Sequence, residues 1–210
     1  MGLSIAMKIN FPLLALAVGA FAIGTTEFSP MGFLPEIAND LSVSIPQAGL
    51  LISAYAVGVM IGAPLMTLWL ARFPKKTALI LLMAIFTIGN VLATVAPDYM
   101  SLMGARLITS LNHGAFFGLG SVVAASVVPK DKQASAVAMM FMGLTIANIG
   151  GVPLATWLSQ NTSWRMAFAA ISILGIMTML ALWKALPQDH DVVKPNVAKE
   201  LRVLTRAPVV

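Results

Sequence analysis

The chain has 210 residues, of which 59% are hydrophobic and 10% are charged. An ordinary soluble domain carries about 25% charged residues, so this composition excludes a soluble globule and a disordered chain alike. The net charge of +5 would fit a nucleic-acid binder, but the placement of the charges argues against one. No cysteine is present, which removes thiolate metal sites, disulfide frameworks and cysteine nucleophiles.

A bilayer core takes about 20 mostly apolar residues per helix. Six stretches reach that length: 11–34, 46–71, 77–96, 100–128, 134–158 and 164–186. The first is too long, and too acidic at Glu27, for a signal peptide. The second is joined to it by a ten-residue polar link with Glu36 and Asp40. The remaining links are short, which favours antiparallel neighbours in a compact bundle. The expected organisation is a cytoplasmic segment 1–10, a six-helix transmembrane bundle 11–186, and a cytoplasmic linker 187–210 where a seventh helix begins. That ending reads as a half or a fragment.

With a cytoplasmic N-terminus, Lys8, Arg72, Lys75, Lys76, Lys130, Lys132, Lys184, Lys194, Lys199, Arg202 and Arg206 all fall inside. These are eleven of the thirteen basic residues. Arg165 alone sits at the outer mouth, and Arg106 lies within the fourth span. The positive-inside rule produces this asymmetry. The expected setting is a bacterial inner membrane crossed several times, with both termini cytoplasmic, a lipid bilayer as partner and no nucleic acid.

Polar groups within spans are costly and face the bundle interior or a watered cavity. Glu27 lies about 12 Å from the outer end of its helix, at ~1.5 Å per residue. Desolvation disfavours an ionised carboxyl, and a carboxyl that gains and loses a proton is what a proton-coupled carrier needs. The plain alternative is a structural carboxyl bonded to a neighbouring helix. Arg106 lies ~9 Å below the same surface, so the two are expected to pair or share a water. Arginine keeps its proton, which suits it to tuning Glu27 or holding an anion.

Arg106, Ser110, His113, Phe117 and Ser121 recur at helical spacing on one face. Their mixture of charge, hydroxyl, imidazole and ring reads as a cavity wall. His113 is a candidate proton relay, or simply a hydrogen-bonded core histidine. Asn112 points off this stripe and is expected to hold the fourth span to another helix. The fifth span carries Asn148, counted with Asn112, Ser110, His113 and Phe117 among the candidate cavity and substrate residues, then Gly150, Gly151 and Pro153, where proline clashes with the carbonyl of Ile149. A kink is expected there, of the kind carriers use as hinges. Gly58, Gly62 and Ala63 form a small-residue face on the second span. Phosphate-binding loops are absent. The GLGS string at 118–121 lacks a histidine base in a later span, since His190 lies in the tail. No cofactor, metal or enzymatic constellation emerges.

Several strings together resemble the N-terminal half of a major facilitator superfamily transporter. They are GTTEFSPMG (24–32), SAYAVGVM (53–60), RLITSLNHGAFFG (106–118), GLTIANIGGVP (143–153) and WRMAF (164–168). The resemblance is to the drug/proton antiporter branch and its arabinose-efflux-permease group. It implies an all-α fold of two inverted three-helix repeats, half of a 12-helix carrier whose first and fourth helices line the cavity. It also implies proton coupling through Glu27 and Arg106. Partners implied are protons, a small-molecule substrate such as a drug or sugar, and a C-terminal six-helix half on the same or a second chain. In the loop after the second helix the family reads Asp-Arg-x-Gly-Arg-Arg. Here Ala71, Arg72, Phe73, Pro74, Lys75 and Lys76 keep the positive charge without the aspartate or the glycine. The competing expectations are a six-helix homodimeric carrier and a membrane fragment or assembly partner that transports nothing.

Overall fold

A computed structural model describes residues 10–187. Among these, six helical stretches are long and apolar enough to cross a bilayer. The first span is α1 (Phe11–Gly32) and the short helix α2 (Leu34–Asp40) follows it. The second span is α3 (Ile45–Leu70) and the third α4 (Lys75–Thr94). The fourth combines α5 (Tyr99–Ser110) and α6 (His113–Ser126). The fifth combines α7 (Gln133–Ile146), a π-turn Ala147–Gly151 and α8 (Val152–Asn161), and the sixth is α9 (Trp164–Ala185). The placements expected for Lys8, His190, Lys194, Lys199, Arg202, Arg206 and a seventh helix lie outside the described residues.

Four spans start on a capping side chain. Asn10, Ser44, Asp98 and Ser163 each accept a backbone N–H from three residues on, satisfying one of the orphan donors at a helix start. Asp98 and Ser101 close a full capping box. The polar link between the first two spans is helical at α2. Pro35 sits in its first turn, and Ile37 and Ala38 bury against the bundle, so a two-residue apolar face is enough to fold it.

In a bilayer, helices gain little from the hydrophobic effect on meeting one another, so close packing and hydrogen bonds must hold them. α1 runs along α7, α3 along α5 and α6, and α4 along α9. Exchanging the first three spans for the last three maps α1–α7 onto the pairing of the second and fourth spans. It maps α4–α9 onto itself. The fold is therefore two three-helix repeats of inverted orientation. Gly143 lets α7 close on α1, because a Cβ there would strike the backbone carbonyl of Ala17. Gly58 does the same for α3 against Ser110 of α5. The core is built from Leu16, Ile23, Leu82, Phe86, Phe116 and Phe168.

The two ends differ in charge. Arg72, Lys75, Lys76, Lys130, Lys132 and Lys184 share one end, which is tied by Lys76 Nζ donating to Leu186 O (2.6 Å) and Asn10 Nδ2 to Val127 O (3.3 Å). Glu36, Asp40, Asp98 and Arg165 share the other. There Arg165 and Trp164 both donate to Asp40 Oδ2, and Arg165 Nη2 also donates to Ala96 O.

Candidate functional site

Glu27 is half-buried on α1. Its nearest charged-group contact is His113 at the start of α6, with Nε2 3.8 Å from Oε2. That is electrostatic reach, longer than a hydrogen bond. His113 Nδ1 lies 3.2 Å from the hydroxyl of Tyr55, which is buried on α3. The Tyr55 ring in turn lies beneath the guanidinium of Arg106, whose Cζ is 4.2 Å from the ring centroid. Arg106 is 1% exposed. Its Nη1 donates to Thr26 O (2.9 Å) and Thr26 Oγ1 (3.4 Å), so it returns to α1 one residue before Glu27. Four ionisable groups from three spans thus form a nearly closed ring.

Of the two arrangements expected for Glu27 and Arg106, a direct pair or a shared water, the direct pair is not made. Arg106 turns to Thr26 and to the faces of Tyr55 and Phe168, and its Nε and Nη2 have no hydrogen-bond partner among the described residues. The Tyr55 ring occupies the face of the guanidinium, and a cation over a desolvated ring gains a favourable interaction of about 2 kcal/mol. The two charges stay within electrostatic reach of each other without touching.

Thr26 is itself propped. Its hydroxyl donates to Asn90 Oδ1 of α4 (2.7 Å), and Asn90 Nδ2 donates to Phe86 O. Neither Tyr55 nor Asn90 stood out in the sequence. Asn90 carried the same signal that marked Asn112 and Asn148, an amide inside an apolar span. Tyr55 carried none beyond being one of two tyrosines.

The stripe on the fourth span divides on inspection. His113 and Phe117 belong together, their rings tilted at 5.1 Å, and Phe117 stacks on Phe141 of α7 at 5.0 Å. Ser110 is no cavity wall; it is fully buried against Gly58 and donates to Leu107 O. Ser121 donates to Phe117 O within its own helix. Asn112 does not bond the fourth span to a neighbour: it is buried and both amide atoms lack a partner among the described residues. It sits where the helix tightens between α5 and α6, with Leu111 N bonded to Ile108 O.

In the fifth span the conflict at Pro153 is met by widening rather than by a simple break. The π-turn at Ala147–Gly151 absorbs the carbonyl that proline would strike. Gly151 packs against Phe21 and Thr25 of α1, whereas Gly150 has open space where a Cβ would stand. Asn148 is exposed and donates to Leu144 O, so it does not join the ring around Glu27.

At the basic end, Arg72 Nε donates to Trp69 O, and its guanidinium lies over Trp69 and Phe73. Lys75 helps line a mostly apolar cavity of about 390 Å³ with Leu70, Phe73, Leu82 and Leu119. Among the described residues no group of three His, Asp or Glu side chains is placed to hold a metal ion.

The chain is 68% identical over 203 residues to the inner membrane transport protein YdhP of Escherichia coli strain K12, covering 97% of this chain and 52% of YdhP. It is 40% identical over 196 residues to the putative transporter AraJ of the same strain, covering 93% of this chain and 50% of AraJ. The chain thus spans about half the length of the curated relatives it matches. Its fold aligns with a crystal structure of the peptide transporter POT at a TM-score of 0.75 and 12% identity, over 92% of this chain and 43% of that one. The inverted repeats, the six apolar spans and a family match over residues 16–210 lead to one conclusion: the chain belongs to the Major Facilitator Superfamily.

Proposed function

We propose that these residues form one half of a carrier that exports small molecules across the bacterial inner membrane in exchange for protons. The observation that carries this reading is the Glu27 carboxyl. It is half-buried within a span, faces His113, and is left without a direct arginine partner although Arg106 is near. A carboxylate bound tightly to arginine would stay ionised; one held slightly apart is free to take a proton and release it. Arg106 acts as a fixed charge that biases this exchange. Phe117 and His113 provide apolar and polar wall for an amphipathic drug or a sugar. The π-turn with Gly150, Gly151 and Pro153 lets the fifth span bend. The basic end, with Arg72, Lys75 and Lys76, faces the cytoplasm. No catalytic step and no cofactor belong to this reading.

Alternating access moves one half against another around a midplane site. The second and fifth spans are the least buried, at 22% each of their apolar windows, with Val57, Met60, Ile61, Ile146 and Ile149 outward. Those two faces are where a second six-helix half would sit.

The test uses everted membrane vesicles with an acid interior and two probes, ethidium as an amphipathic cation and a neutral pentose. The expected result is proton-driven uptake of one probe when a second half is present, none with these 210 residues alone, and loss of uptake in Glu27→Gln. Unchanged pH-driven uptake in Glu27→Gln removes this carboxyl from the mechanism. Uptake by the 210 residues alone favours a homodimeric carrier, and no uptake in any arm favours a non-transporting assembly partner.

A further inference from the structure

We infer that Tyr55 is a positioning residue that fixes the tautomer of His113, placing the ring proton on Nε2, toward Glu27, and the lone pair on Nδ1. The argument begins with the Tyr55 hydroxyl. It is buried, and the described partner within hydrogen-bond distance is His113 Nδ1, at 3.2 Å. The charged groups near Tyr55 are Arg106, which has donors only and lies over the ring, and Glu27, which is within electrostatic reach but not within hydrogen-bond distance of the hydroxyl.

If Nδ1 carried the proton, it would donate to the tyrosine oxygen and leave the Tyr55 O–H without an acceptor. A buried donor left unsatisfied costs about 1–3 kcal/mol. If Nδ1 is bare, the hydroxyl donates to it and both groups are satisfied. A neutral imidazole then carries its proton on Nε2.

A second observation leads to the same tautomer independently. Nε2 faces Oε2 of Glu27 at 3.8 Å. An N–H dipole directed at a carboxylate is attracted to it, whereas a nitrogen lone pair in that place is repelled. The ring orientation is further held by Phe117, tilted against His113 at 5.1 Å. The titratable groups facing His113 are thus Glu27 and Tyr55, with Arg106 on the far side of the Tyr55 ring.

The consequence is directional. With Glu27 ionised, the chain of donors runs Tyr55 to His113 to Glu27. When Glu27 takes a proton, its O–H becomes a donor toward Nε2. Accepting it would require His113 to move its own proton to Nδ1 and Tyr55 to lose its acceptor. Tyr55 therefore opposes reversal of the chain, and His113 stays a donor toward the carboxyl rather than a partner that drains its proton. This bearing on proton coupling rests on the reading above, but the tautomer assignment and its test do not.

The test is nitrogen magnetic resonance of the protein labelled with ¹⁵N-histidine, reconstituted in lipid bilayers at mildly alkaline pH. The sequence holds two histidines, His113 and His190, so a His190→Gln variant isolates the signals of His113. The expected wild-type spectrum shows Nδ1 bare and hydrogen-bonded, with the proton on Nε2. Tyr55→Phe keeps the ring beneath Arg106 and removes the hydroxyl. In it, the Nδ1 resonance is expected to move to the position of a bare nitrogen without a donor, and the Nδ1–H share to rise by about fivefold or more. A wild-type Nδ1 that carries the proton overturns the inference without any variant. So does an Nδ1 resonance that is the same in wild type and Tyr55→Phe. Either result leaves the Glu27→Gln transport experiment standing as a separate test.

Discussion

The molecule uses an arginine near a carboxylate twice, in opposite ways. At the acidic end, Arg165 is engaged on every side: it donates to Asp40 and to Ala96 O, and covers the Trp164 ring at 4.1 Å. Inside the bundle, Arg106 has a carboxylate within electrostatic reach and does not bind it, and two of its three nitrogens have no hydrogen-bond partner among the described residues. The first pair ties α2 to the start of α9. The second leaves a buried charge only partly satisfied, by Thr26 and the Tyr55 face, which costs stability. The same two residue types thus fasten elements together at the rim and, inside the bundle, leave the carboxylate unbound by arginine.

Replacing Arg106 should give the largest effect and break the comparison most directly. In Arg106→Met, coupled uptake is expected to vanish. Thermal stability in detergent is expected to change little, because relief of the buried charge offsets the lost bonds to Thr26 and the lost contact with the Tyr55 ring. A fall in Tm would show that Arg106 is a fastening like Arg165.

Asn90 should rank next. Asn90→Leu removes the acceptor of the Thr26 hydroxyl, and a loss of about 1–2 kcal/mol is expected in thermal unfolding. No loss would mean that Thr26 holds Arg106 without the prop from α4.

The rim pair should give the smallest effect, and one that depends on pH. The hydrogen bond from Arg165, helped by that from Trp164, holds the Asp40 carboxyl below its usual range. Its contribution is therefore present above about pH 4, the ordinary carboxylate value, and fades as pH falls through the lowered one. Asp40→Asn is expected to cost about 0.2–1 kcal/mol at neutral pH and nothing at strongly acidic pH. Transport should be unchanged. A constant gap between the two proteins at all pH values would assign the loss to packing.

The spans were legible because apolar length is a property of the chain itself. Their ends were less so: Lys75 and Tyr99 enter helices that the apolar runs alone would begin one or two residues later. The helix at Leu34–Asp40 was hidden because its apolar face is only two residues wide. Within the site, Glu27, Arg106 and His113 announced themselves as ionisable groups in apolar surroundings. Tyr55 did not, since a tyrosine in a membrane span is unremarkable until its neighbours are known. The 50 residues between it and Arg106 carry no local signal that the two side chains stack. Asn112 was legible as an anomaly, yet its bonding partner was not, and it has none among the described residues.

The π-turn of the fifth span has a consequence for phase. A π-turn holds an extra residue compared with an α-helical turn, and each residue of an α-helix advances about 100° around the axis. The stripe of α8 is therefore rotated relative to the stripe of α7. That offset is how a single span faces α6 at one end and α9 at the other while staying against α1 throughout. Deleting one residue at Gly150, where no neighbour fills the space of a side chain, would bring the two stripes into register. It would also turn Ala155 and Ser159, now buried, away from the interior and toward lipid.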